Sequence, residues 1–238
     1  MPLPQLNVTP KYELTVPSTS KRIKYRPFLV KEEKILLLAM ESQDPNQIIN
    51  AVTDTIRNCL ETDAKTLAKL TTFDVEYIFV QLRGQSVGEK VEVKLKCQND
   101  ECDHETTVMI ALDDIKVDVP KINNVIELTE DISVEMKWPS FEETYKNNEI
   151  SEADGAQAMY IALRKSIAAV HTGDTRIDAS EVTTQELDAF IEETNSDQFK
   201  KLVAYIEAMP KLTHTVKYTC EKCGTENTVT LEGMEDFF

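Results

Sequence analysis

The residues with the clearest chemical potential are four cysteines in two pairs. Cys97 and Cys102 stand in "KLKCQNDECDHETTVMI" (94–110) with four residues between them, and Cys220 and Cys223 in "HTVKYTCEKCGTENTVTL" (214–231) with two. Each pair lies between segments that alternate apolar and polar residues, the pattern of a hairpin carrying its thiols at the tip. Pairs at this spacing are the halves of a tetrahedral four-thiolate zinc site, and neither half fills a shell alone. Cys97, Cys102, Cys220 and Cys223 together can, so the expectation is a structural Zn2+ that ties residue 97 to residue 223. Two local disulfides or free thiols are the competing reading, although disulfides do not persist in a reducing compartment. A catalytic zinc needs an open position that four thiolates do not leave. A redox role for "CEKC" lacks the following helix N-terminus that would lower a thiol pKa. His104 is either a substitute ligand or a solvated side chain. Gly224 lets the chain turn tightly after the last thiol. Cys59, on the apolar face of a helical pattern, reads as core filler.

Other chemistry finds no apparatus. "HETTV" (104–108) begins like a metalloprotease helix but has Val108 where the second histidine must stand. "GQSVGEK" (84–90) has too short a gap between its glycines and no Ser or Thr after the lysine, so it cannot cradle phosphates. "DTRIDASE" (174–181) lacks the third-position acid and sixth-position glycine of a calcium loop. The histidines are His104, His171 and His214, and none completes a nucleophile signature. The expectation is a protein that is not an enzyme and takes no small-molecule substrate, with a hydrolase built from scattered residues as the contrary case.

Composition narrows the partners. The formal charge of −16 over 238 residues repels phosphate backbones, so no nucleic acid is expected. A zinc-ribbon adaptor of transcription or nucleic acid would need a basic groove, yet Asp100, Glu101, Asp103, Glu105, Glu221 and Glu226 surround the cysteines. The longest apolar run, "ILLLAM" (35–40), is far short of the roughly 20 residues that span a bilayer, and the opening segment has no basic flank before an apolar stretch. No membrane partner is expected, and synthesis in the cytosol is.

The elements that hold the cysteines follow from periodicity. Residues 11–27 read as two strands about the turn "PSTS", followed by a helix from about Lys31 to Ser42. Asp44 and Pro45 then cap and start a helix with Ile48, Val52, Ile56 and Leu60 along one face. A buried helix spans 72–86, and short strands lie near 124–128 and 132–138. Between the cysteine pairs the pattern is mainly helical. A long helix near 152–171 has Ala156, Met159, Tyr160, Leu163, Ile167 and Val170 on one stripe, a second opens near Thr184, and a third is capped by Ser196. Segment 171–182 reads as a mobile exposed loop. The fold class is α+β: a helical N-terminal part (1–88) and an inserted helical block (139–210) around a small antiparallel β module (89–138 with 211–238) bearing two zinc-knuckle hairpins.

Two places suit partner contacts. Tyr25, Arg26 and Phe28, in "YRPFLVKEEK", have the residue types enriched at binding hot spots. The alternative is that the rings pack inside and Arg26 pairs with Glu32 or Glu33. Phe237 and Phe238, after an acidic stretch, read as a docking peptide or as aromatics tucked onto the sheet.

"TSKRIKYRPFLVKEEKILLLAMES" (19–42) and "FDVEYIFVQLRGQSVGEKVEV" (73–93) resemble the baseplate hub family of T-even-like contractile-tailed bacteriophages, which covers the first hundred residues well. The resemblance implies a structural or assembly protein of the tail baseplate hub. An alternative within the same family is an assembly chaperone absent from the mature virion. Other phage baseplate and tail proteins would be its partners, and its locations the host cytoplasm during assembly and the virion tail baseplate. The zinc rests on the cysteines and is not implied for the family as a whole.

Overall fold

The computed structural model describes residues 9–145 and 155–233. Strand β1 (Tyr12–Thr15) pairs antiparallel with β2 (Arg22–Tyr25), and Leu14 opposite Ile23 faces inward. The expected turn between them is held by Asp74, a fully buried carboxylate that accepts the Ser18 amide at 2.9 Å and the Ser18 hydroxyl at 2.6 Å. Helix α1 (Val30–Ser42) leads through a left-handed Gln43 to α2 (Pro45–Cys59). As the sequence predicts, Asp44 caps α2, taking the Asn46 amide at 2.9 Å, and Pro45 begins it where no amide partner is needed. β3 (Leu60–Glu61) adds to β2, α3 (Ala64–Leu67) is a single turn, and α4 (Thr72–Ser86) is buried on most sides, as its near-continuous apolar content requires.

A hairpin of β4 (Lys90–Lys96) and β5 (Glu105–Ala111) follows, with Val91 opposite Ile110 and Leu95 opposite Thr106. The chain then enters a second unit, residues 68–72 and 119–210; the first unit takes the rest. In the second unit β6 (Val125–Glu127) and β7 (Ile132–Met136) precede α5 (Phe141–Tyr145) and α6 (Gly155–Ser166). β8 (Ile167–Thr172), β9 (Thr175–Asp178), α7 (Thr184–Glu192) and α8 (Ser196–Glu207) complete it. The four strands form one antiparallel sheet in sequence order. Val134 and Met136 from the sheet pack with Leu163, Ile191 and Leu202 from the helices.

Four expectations are corrected in this unit. The long helix stops at Ser166, and 152–154 lie outside the described residues. Ile167 and Val170 fit a helical stripe as well as a strand, but β7 and β9 offer ladder partners on both sides, and that pairing decides. Segment 171–182 is not an irregular loop: Thr172 pairs with Thr175 across Gly173–Asp174, and Gly173 takes the positive φ of +53° that the tight turn demands. Strands β6 and β7 share their sheet with the inserted block. At the start of α8 the cap is Asn195, one residue before the expected Ser196; it takes the Asp197 and Gln198 amides at 3.0 and 2.9 Å.

The chain returns to the first unit with β10 (Thr213–Thr219) and β11 (Glu226–Glu232), a second two-stranded hairpin. The observed class is α+β with small antiparallel sheets, as expected.

Candidate metal centre

The two hairpins are built alike. In each, alternate residues point one way: Val91, Leu95 and Ile110 from the first, Val216, Tyr218 and Leu231 from the second. These join Val80 of α4 in one apolar core. The strand ladders run up to the cysteines. Beyond Lys96–Glu105 the Cys97 amide donates to the His104 carbonyl at 3.0 Å, and beyond Thr219–Glu226 the Cys220 amide donates to the Thr225 carbonyl at 2.9 Å. Gly224 closes the second tip at φ +74°, donating to the Cys220 carbonyl at 2.9 Å. Asn99 accepts the Cys102 amide at 2.8 Å and so curls the longer first tip.

This construction brings all four sequence-predicted sulfurs together, within 4.8 Å of one another. Cys97 lies 3.5 Å from Cys223 and Cys102 lies 3.8 Å from Cys220, so close sulfur contacts link the two hairpins. None is disulfide-bonded. Four sulfurs each about 2.3 Å from a central zinc stand about 3.8 Å apart, whereas a disulfide brings two to about 2.05 Å. The observed spacing matches the first case, and the donor set can hold a metal ion. Cys102 and Cys220 are buried, Cys97 is half-buried and Cys223 is exposed, which leaves one side of the cluster open to solvent.

The surroundings pull the thiols unevenly. The Thr225 hydroxyl and amide bring Cys223 down to about 6, and the Cys223 amide, first among its neighbours, lowers Cys220. Amides also favour the thiolates of Cys97 and Cys102, through Asn99 and His104 respectively. Burial and crowding by other sulfurs outweigh them, so Cys97 is raised and Cys102 is pushed up to about 11. A cation among the four would favour every thiolate, since metal binding displaces their protons.

Sequence reasoning missed a second connection between the tips. The buried side chain of Asn227 accepts the Gln98 amide at 2.7 Å and donates to the Thr225 carbonyl at 2.9 Å. The Gln98 side chain donates to the Thr228 carbonyl at 2.9 Å, and the Tyr218 hydroxyl donates to the Lys96 carbonyl. The available signal was parity, because Asn227 shares its strand face with Val229 and Leu231, where a polar side chain must find a partner.

The remaining candidates separate. His104 is outside the sulfur cluster; its Nε2 is buried with no hydrogen-bond partner, so it is neither a ligand nor solvated at that atom. Cys59 is core, 1% exposed, and burial pushes its thiol up to about 11. Tyr25 and Phe28 are buried, which corrects their reading as a contact patch. Arg26 pairs with the buried Glu32 at 2.9 Å, and Glu32 also accepts the Leu29 amide at 2.8 Å, pinning the entry to α1. Phe237 and Phe238 lie outside the described residues.

No curated protein and no solved structure matches the chain. The family model described as T4 bacteriophage base plate protein matches residues 9–238, nearly the whole length, and the chain belongs to that family.

Proposed function

We propose that this base plate protein works at the tail hub, as a structural or assembly subunit whose first unit is stapled by one zinc ion on Cys97, Cys102, Cys220 and Cys223. Family membership supports a structural role in a phage baseplate, among other tail and baseplate proteins. The observation that carries the metal is the set of four reduced sulfurs from two distant hairpins within 4.8 Å of one another. Four thiolates fill a tetrahedral shell and leave no place for an activated water, so the ion's contribution is to hold the tips together. The hairpin backbones place the sulfurs, Gly224 permits the tight second turn, and Gln98 with Asn227 orients the tips on each other. The result is a rigid pair of hairpins able to present a constant surface to other subunits.

Elemental analysis of freshly purified, reduced protein should find one zinc per chain, and Cys102→Ser with Cys220→Ser should lose it. Wild-type protein purified without metal, or with its cysteines in disulfides, would sink the staple. For the hub, quantitative mass spectrometry of purified virions against tail assembly intermediates should find the chain in both, copurifying with hub-proximal parts. Presence in intermediates alone would identify an assembly chaperone instead.

A further inference from the structure

Helix α1 is apolar around most of its circumference, and its own chain covers only one side. Glu32, Leu36 and Ala39 are buried, whereas Val30 is 78% exposed, Leu37 56%, Leu38 55% and Ile35 50%. A helix that is hydrophobic all round belongs in a place that is covered all round, and contiguous exposed apolar surface marks an interaction site. At 3.6 residues per turn, Val30, Lys34, Leu37 and Glu41 share the outward face, with Leu38 beside them. Lys34 and Glu41 have no ion-pair partner among the described residues. They stand at equal distances on either side of the midpoint between Leu37 and Leu38.

That spacing makes the face complementary to itself. Two copies laid antiparallel about a two-fold axis at the midpoint bring leucine against leucine in the centre. On either side, Lys34 of each copy meets Glu41 of the other. An interface between identical chains requires this self-matching, in which one residue's partner is returned by symmetry. We infer that the outward face of α1 is a symmetric dimer interface, and that its occupant is a second copy of this chain. The paired charges choose that occupant over an unrelated apolar helix, which would leave a lysine and a glutamate uncompensated at the rim. The net −16 on each copy opposes approach, so the leucine centre and the two ion pairs must outweigh it. The pairing goes beyond the zinc and hub reading and needs neither.

Sedimentation velocity on the purified full chain, at concentrations up to about 0.1 mM, tests it. Wild type should sediment as a dimer and Leu37→Asp as a monomer with an unchanged circular dichroism spectrum. Lys34→Glu and Glu41→Lys, which put like charges opposite one another twice, should each weaken the dimer about tenfold. Combining Lys34→Glu with Glu41→Lys should restore it. A monomeric wild type, including one whose α1 face binds only a different baseplate chain, overturns the inference. So does a dimer indifferent to the single charge reversals, or one that the double reversal fails to rescue.

Discussion

The paired hairpins of the first unit and the four-stranded sheet of the second face the same problem, how to keep short strands folded, and meet it differently. β4–β5 and β10–β11 remain separate two-stranded sheets, each with one exposed face, and an isolated two-stranded hairpin is marginal in water. In the second unit β7 and β8 have ladder partners on both sides, and α6, α7 and α8 bury Val134, Leu163 and Leu202 completely. Area and pairing suffice there. At the hairpin tips the apolar core has run out, and this is where the four sulfurs and the Gln98–Asn227 contact are placed. Polar contacts and a donor set able to hold a metal ion stand where a thin layer cannot supply burial.

The comparison is broken most severely at the four sulfurs. Chelation, or Cys220→Ser, should collapse amide-exchange protection in β4, β5, β10 and β11 while β7 and β8 stay protected. Equal loss in both units would show that the staple is not local. The reverse experiment is Leu202→Ala, which opens a cavity at a side chain with 0% exposure and should cost about 2–5 kcal/mol by denaturant unfolding, with metal content unchanged. Asn227→Ala is finer. It leaves the Gln98 amide without its acceptor and should cost about 1–3 kcal/mol, detectable in metal-loaded protein as faster exchange at the tips.

The smallest effect is a matter of pH in the second unit. The Ser180 hydroxyl and amide, with Arg176, hold the Asp178 carboxyl down to about 2. Its contribution is fully present above the unfolded carboxylate's ordinary range near 4 and is lost as pH falls through about 2. Asp178→Asn should flatten the acid limb of thermal stability between about pH 4 and pH 2 without touching the hairpins. An acid limb identical to wild type would remove this contact from the account.

The clustered cysteines and their hairpins could be read from the sequence because both signals are local: period-two alternation, and cysteines a few residues apart. The second unit's strands were harder. "IAAVHT" follows a helix without a break in apolar spacing, and only the ladders to β7 and β9, more than thirty residues away on one side, make it a strand. The two-residue Gly173–Asp174 connection was nevertheless a hairpin signal in plain view. Tyr25 and Phe28 show the converse limit: residue types common at interfaces are common in cores, and composition does not separate the two. Asn227 was invisible as a connector because its partner lies 129 positions away.

The sulfurs that meet as Cys102 and Cys220 are 118 positions apart, with residues 119–210 of the second unit between them. At ribosomal rates of about 5–20 residues per second, the first hairpin waits about 6 to 24 seconds before its counterpart has even been made. Throughout that interval Val91, Leu95 and Ile110 have no opposing strands to lie against, and two thiols are without their mates. Nascent chains are therefore exposed to oxidation and to mispairing at this stretch until the second pair of cysteines has been made.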